Sequence, residues 1–373
     1  MSGPPLVLIA AGGTGGHLFP AEALAHALVA RGYAVELVTD ERADRYGGDF
    51  PARRVHLVAA ATVTGRSPVR MAGTVAKLGR GILQSLSIIR KARPAVVVGF
   101  GGYPTVPPLV AANLRGVPTV IHEQNAVLGR ANRMLAARAA RIATGFETTA
   151  GAGDHAAKVV HVGDPVRPAV VAAAATPYDT PVPGGPLKLL VFGGSQGARV
   201  FADLVPPAIE RLDAALRGRL SIVQQARAED LDRVRAAYRA AGVAAEVEPF
   251  FTDLPARMAA AHLVVCRSGA STVAELSAIG RPAILVPLPH ARDQDQAANA
   301  AVIGAAGGAF VIAQAELPPE RLAAEIADLA AHPERLAATA AAARALGRPD
   351  AVERLADLVA SIAGAPAPNG ARP

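Results

Sequence analysis

One pattern occurs twice in this chain, once at its start and once at its midpoint, and it limits the fold more than any other feature. LVLIAAGGTGGHLFPAEALAHALVA begins at Leu6 and LKLLVFGGSQGARVFADLV begins at Leu187; each reads as an apolar strand, a glycine loop and a helix. A short, continuously apolar strand suits a parallel sheet covered by helices on both faces. The class is therefore α/β, with two doubly wound halves and a ligand cleft expected between them. At 373 residues the chain exceeds what one core usually serves, and 51% hydrophobic residues supply two. Tryptophan is absent and aromatics are 4%, so Ala, Val and Leu carry much of the packing.

The expected organisation is a first domain over 1–165, a Pro- and Gly-rich connection over 166–186, a second domain over 187–346, a helix over 347–363 and a disordered tail over 364–373. Pro206 and Pro207 should kink or end their helix within two or three turns. Cys266 lies in an apolar run, expected buried and inert, and a single cysteine excludes a disulfide within the chain. No basic leader and no run of eighteen apolar residues is present, so the expectation is a chain neither secreted nor membrane-spanning, in a reducing cytoplasm.

Gly12, Gly13, Gly15 and Gly16 let the backbone approach a ligand and leave amides exposed around Thr14. A dinucleotide fingerprint read from Gly13 through Gly15 would need a third glycine where Leu18 stands, although Asp40 after the next strand could mimic the ribose acid of such folds. His17 closes the loop. A lone histidine is more often structural, but one at a glycine loop can reach a substrate, and the positive helix end favours the neutral imidazole that a general base requires. In the second half Gly193 to Gly197 echo this loop, and Ser195 is the hydroxyl placed for a phosphate oxygen.

The densest polar constellation is VVCRSGASTVAELSAIGRPAILVPLPHARDQDQAANA, from Val264. RSGAST starts a helix whose first amides suit a phosphate, and Glu275, four residues after Ser271, can accept from vicinal ribose hydroxyls. His290, Asp293, Gln294, Gln296 and Asn299 add the mixed donors and acceptors that a sugar would meet. Read singly, each is a helix cap or a solvated loop residue; their density argues otherwise. Asp293-Gln294-Asp295 matches the D-x-D pattern of metal-dependent glycosyltransferases, but at a helix start it reads as a cap, and no metal is assigned. Phe251 could stack on or border a planar base, though an aromatic there is more often packing.

Between Phe50 and His122 there is no acidic residue, against Arg53, Arg54, Arg66, Arg70, Lys77, Arg80, Arg90, Lys91, Arg93 and Arg115. Within this segment Met71, Val75, Leu78, Ile82, Leu86 and Ile89 form a helical stripe expected to face the core, with Leu83 and Ile88 outside it. Such a basic surface fits an anionic membrane, each cation contributing on the order of 1 kcal/mol; nucleic acid is disfavoured because stacking aromatics are scarce. Farther on, HEQN (His122, Glu123, Gln124, Asn125) ends another strand and offers ligand contacts or helix caps.

GGTGGHLFP, GFGGYPTVPP, HEQN, GDPVR, GGSQGA, RSGASTVAE and PHARDQDQAANA, in this order over nearly the whole chain, resemble the MurG family of peptidoglycan transferases. The resemblance implies a GT-B fold of two Rossmann-like domains, the first for the lipid acceptor and the second for the nucleotide sugar. It implies inverting transfer of N-acetylglucosamine from UDP-GlcNAc to the muramyl 4-hydroxyl of lipid I, yielding lipid II. Implied donor contacts are Thr14, Gly15, Gly16, Asn125, Arg167, Ser195, Phe251, Ala270, Ser271, Thr272, Val273, Ala274, Glu275 and Gln296. His17 is assigned as base, with diphosphate binding or acceptor orientation as its alternative roles, and no cofactor is implied. Asp164 stands where the family usually has asparagine. The resemblance further implies peripheral attachment to the cytoplasmic side of the inner membrane, a last helix packed across the first domain, and cell-wall synthesis and division proteins as partners. HEQN and the GFGGY loop argue against a lipid glucosyltransferase or 2-epimerase on the same fold. The broken fingerprint argues against a dehydrogenase or a non-catalytic nucleotide binder.

Overall fold

The computed structural model describes residues 4–12, 15–41, 50–60, 68–194 and 197–365. The chain divides into two compact units, Met1–Arg167 with Asp350–Pro373, and Pro168–Pro349. Thr14, Ser195 and residues 366–373 of the expected tail lie outside the described residues.

The first unit runs β1 (Leu6–Ala10), α1 (Gly15–Ala30), β2 (Ala34–Thr39), β3 (Val55–Leu57), α2 (Pro68–Ala92), β4 (Val96–Gly99), α3 (Val106–Leu114), β5 (Thr119–Glu123), α4 (Arg130–Leu135), β6 (Arg141–Thr144) and β7 (Val159–His161). Its seven-stranded sheet has the order β3-β2-β1-β4-β5-β6-β7. All its pairings are parallel; Leu6 stands opposite Ala34, and Val7 opposite Val96. Alternation across β1 sends Val7 and Ile9 into the core under α1 and Leu8 and Ala10 into the core on the opposite face, which explains why the run is apolar throughout.

The second unit runs α5 (Pro168–Ala173), β8 (Leu187–Phe192), α6 (Arg199–Glu210), α7 (Ala214–Arg217), β9 (Leu220–Gln225), α8 (Leu231–Ala240), β10 (Ala244–Glu248), α9 (Leu254–Ala260), β11 (Leu263–Cys266), α10 (Ala270–Ile279), β12 (Ala283–Leu285), α11 (Asp295–Ala305), β13 (Phe310–Val311), α12 (Pro319–Ala331) and α13 (Pro333–Leu346). Its parallel sheet has the order β10-β9-β8-β11-β12-β13. Pro206 and Pro207 sit inside α6, which ends at Glu210. Cys266 is buried on β11, and burial pushes its thiol pKa far up.

The last helix, α14 (Ala351–Ala363), belongs to the first unit. Leu355, Ala356 and Val359 join the core cluster that holds Leu18, Leu24 and Leu28 of α1. Arg31, just past α1, donates to Asp357 at 2.7 Å and to the Glu353 carboxylate, and the Tyr33 hydroxyl donates to Gly364 O at 2.9 Å.

Two expectations need correction. The stretch 166–186 reads as the interdomain connection from its prolines and glycines; from Pro168 it belongs to the second unit and is fastened within it. Arg281, 1% exposed, donates to the carbonyls of Thr176 (3.0 Å), Pro177 (3.1 Å), Ala259 (2.9 Å) and Ile279 (2.8 Å), with its guanidinium 5.5 Å from the Tyr178 ring. Arg344 donates to Ala174 O at 2.6 Å. Anchors so distant in sequence leave no local pattern. The α2 stripe reaches the core only toward its end: Ile89 is buried, while Val75 is 65% exposed; Leu83, read as lying outside the stripe, is 69% exposed. Gly81 makes this approach possible, since a Cβ there would sit 2.1 Å from Ala59 O.

Replacing Arg281 with methionine strands several buried carbonyls, so the second unit should lose about 3 kcal/mol in denaturant unfolding. A change below about 0.5 kcal/mol would show the carbonyls to be satisfied without it.

Candidate active site

In both units the strands deliver their polar residues to the C-terminal ends of the sheet, where doubly wound folds bind ligands. In the first unit α1 begins at Gly15, and His17 occupies its first turn, half-buried. Its ring lies against three glycines. A Cβ on Gly12 would come within 3.3 Å of the ring, on Gly102 within 3.3 Å, and on Gly101 within 3.6 Å. Gly101 and Gly102 have φ of +82° and +74°, the left-handed region, so side chains are unwelcome there for two independent reasons. The GFGGY loop thus forms the bed on which His17 rests. A Cβ on Gly16 would meet open space, whereas one on Gly15 would strike the Phe19 ring at 2.9 Å.

HEQN divides. His122, Glu123 and Gln124 are all buried and committed to internal bonds, which removes them as ligand contacts. The Gln124 amide donates to Phe100 O at 3.0 Å, and His122 Nε2 to Gly163 O at 3.0 Å. Glu123 is a hub: its carboxylate accepts from Asn132 Nδ2 (2.8 Å), Gly129 N (2.9 Å), Asn125 N (3.1 Å) and Asn125 Nδ2 (3.2 Å). Burial raises its pKa, and these donors oppose that rise. Only Asn125, half-buried, remains placed at the surface, oriented by Glu123. Asn132, 2% exposed on α4, was not singled out by sequence reasoning; an asparagine among the apolar residues of ANRML was the available signal. Asp164 is buried beside Gly145, while Arg167 is half-buried at the end of this unit.

In the second unit a Cβ on Gly193 would lie 2.2 Å from Ala198 N, so only glycine lets the loop turn this tightly into α6. α10 opens at Gly269 without a side-chain cap, leaving its first-turn amides for an outside acceptor. Ser271 and Thr272 are half-buried at this start; Val273 points into the core and Glu275 is 8% exposed. Several neighbours in the polar constellation act as staples. Arg267 donates to Val286 O (2.9 Å), Pro287 O (3.1 Å) and Gln314 Oε1 (2.7 Å), and burial lowers its pKa. Ser268 Oγ donates to Gln296 O at 2.8 Å, and Asn299, fully buried, returns a bond to Ser268 O at 3.1 Å. Asn299 is therefore a brace between the two loops and not a wall of the site.

Gln296 is half-buried and its side-chain oxygen accepts from Leu288 N at 3.0 Å, so its amide group is aimed by the loop before α11. Asp293 and Gln294 have φ of +52° and +55°, a strained entry into α11. Asp295 Oδ1 accepts from Gln296 N at 2.7 Å, and no group of three metal-ligating side chains occurs among the described residues. The Phe251 ring is packed: it is 7% exposed, with the Arg257 guanidinium 4.4 Å above its ring, itself held by Asp253 at 2.7 Å. The exposed aromatic is Phe250, at 60%.

Burial holds the His122 pKa down to about 4, against an ordinary 6.5, the bond to Gly163 opposing. The neutral ring's contribution is complete above about pH 6.5 and is lost as pH falls toward 4, amounting to about 3 kcal/mol. Unfolding of the wild type between pH 7 and pH 4.5 should show this loss, and His122→Asn should flatten the pH dependence. An unchanged slope in the variant would place the loss elsewhere.

Residues 7–144 match the glycosyltransferase family 28 N-terminal domain, and residues 188–355 the glycosyltransferase family 28 C-terminal domain. The chain is 62% identical over 362 residues to a UDP-N-acetylglucosamine–N-acetylmuramyl-(pentapeptide) pyrophosphoryl-undecaprenol N-acetylglucosamine transferase from Methylobacterium nodulans, covering 96% of this chain and 97% of that one. It is 60% identical over 364 residues to the transferase of the same name from Rhodopseudomonas palustris, covering 97% and 100%. Among solved structures it is similar to Acinetobacter baumannii MurG, with a TM-score of 0.80 and 29% identity over 96% of this chain and 100% of that one. With both units matched and identity near 60% from end to end, the chain belongs to the MurG family of glycosyltransferases, with the two-domain GT-B fold.

Proposed function

We propose that this chain transfers N-acetylglucosamine from UDP-GlcNAc to the muramyl 4-hydroxyl of undecaprenyl-pyrophosphoryl-MurNAc-pentapeptide, lipid I, forming lipid II. The observation that carries this reading is the 62% identity to a transferase of that name across 96% of the chain. The first unit takes the acceptor and the second the nucleotide sugar.

The transfer inverts the anomeric centre. His17 accepts the proton of the 4-hydroxyl as its oxygen bonds to the anomeric carbon, while the bond from that carbon to UDP breaks on the opposite face. Charge gathers on the departing diphosphate, where the open amides of α10 and the hydroxyls of Ser271 and Thr272 meet it, with Arg167 and Ser195 as further donors. Glu275 receives the ribose hydroxyls. Gln296 and Asn125 contact the sugar and its leaving group. Phe251, Ala270, Val273 and Ala274 complete the donor contacts. Thr14, Gly15 and Gly16 bring main-chain amides to the donor.

Attachment to the anionic cytoplasmic face of the inner membrane completes the reading. No helix among the described residues is long and apolar enough to cross a membrane. Exposed Val75 and Leu83 on α2, Leu114 on α3 and Met134 on α4 offer apolar contact, in a region whose charged side chains are predominantly basic.

His17→Ala should lower turnover by about 10²–10⁴-fold with the KM for UDP-GlcNAc nearly unchanged, measured as transfer of labelled GlcNAc to a lipid I analogue with chelator present. Near-normal turnover would remove His17 as base. Leu83→Glu should release the protein from anionic vesicles in sedimentation while leaving transfer to a soluble acceptor intact; undiminished sedimentation would move the contact off α2.

A further inference from the structure

Two cavities of the first unit meet along one face of α2. The one nearer the GFGGY loop, about 370 Å³, is bordered by Asp40, Lys77, Arg80, Gln84 and Tyr103, among others. The other, about 790 Å³, is bordered by Arg53, Arg54, His56, Ser87 and Lys91, among others. Both are lined by Leu57 and Gln84, so they adjoin between α2 and the edge strand β3, with Gln84 Oε1 accepting from Ala59 N at 2.9 Å where they meet; a chain lying over Gln84 would make one channel of them. One end opens at Tyr103, the residue after the Gly102 that packs on His17.

The helix positions that line it, Lys77, Arg80, Gln84, Ser87 and Lys91, recur at three- and four-residue spacing and span about 21 Å at 1.5 Å per residue. Five extended residues cover about 17 Å. The charge changes along the channel. Near Tyr103, Asp40 and Glu41 offset Lys77 and Arg80. At the far end the one lining acid among the described residues is Glu36, which is buried and accepts from Arg53 (3.1 Å) with His56 at 2.8 Å. Arg54 and Lys91 there are exposed cations.

We infer that this channel holds the pentapeptide of the acceptor, running from the muramyl sugar beside His17 to a carboxylate at the Arg54 and Lys91 end. A peptide joined through its amino end to the sugar presents its free carboxylate last, and the channel places its uncompensated positive charge at that distance. A bilayer fits less well. The exposed Val75 of α2 projects about 180° round the helix from Gln84, away from the channel, while the exposed Leu83 lies at its rim, about 40° from Ser87.

This inference rests on the acceptor proposed above, and the test separates the two. Full-length protein and the double variant Arg54→Glu, Lys91→Glu are assayed with two soluble short-chain pyrophosphoryl-muramyl acceptors, one bearing a pentapeptide and one with the peptide replaced by a lactyl amide. The variant should raise KM for the pentapeptide acceptor roughly tenfold while leaving kcat, KM for UDP-GlcNAc and KM for the amide acceptor unchanged. An equal rise for both acceptors, or no rise for either, overturns the peptide channel. Loss of binding to phosphatidylglycerol vesicles with both KM values intact makes it a lipid site instead. If wild-type protein transfers to neither acceptor, the proposed reaction itself falls, and this inference with it.

Discussion

A parallel strand covered by helices on both faces has little room for polar side chains along its length, so polar chemistry collects beyond its ends. That constraint shapes both sheets. β1 and β4 are buried along their whole length, and beyond their C-terminal ends lie the loops against which His17 sits. β11 is likewise buried throughout, and the polar turn into α10 follows it at once. Glu36 is one exception, an acid within buried β2, and the structure answers it with Arg53 and His56 at the sheet edge.

Around those strand ends, a few committed groups hold the candidate ligand contacts in position. Glu123 gathers four N–H donors and so fixes Asn125, the turn at Gly129 and α4 through Asn132. Ser268, Asn299 and Arg267 perform the same office between the loops before α10 and α11. These bonds are internal and buried, where an unmet polar group is expensive, so the braces tolerate little substitution. The glycines beside His17 work through exclusion: each keeps a methyl group out of the imidazole's space.

The two units differ in how they meet charge. The first concentrates cations along β3 and α2, with Glu36 already engaged. In the second, on the function proposed above, the uncapped start of α10 offers backbone amides, a positive potential without a mobile side chain. A long acceptor with a peptide and a lipid calls for a wide, screened surface, whereas a diphosphate calls for a few fixed donors.

Much was legible from residue order alone. The repeated strand, glycine loop and helix specified two parallel α/β halves because apolar runs and glycine loops are local signals, and the motif series pointed to the family. Glycine positions near His17 were readable for the same reason. Tertiary structure alone decided which polar residues face outward. His122, Glu123, Gln124 and Asn299 look like ligands in the sequence, yet each is buried; Phe251 is covered by Arg257 while Phe250 is bare. Arg281 fastens a segment more than a hundred positions away, and Val75 emerges from a stripe that periodicity assigned to the core. Periodicity records which residues share a face. What covers that face depends on distant segments, and only the folded chain brings them together.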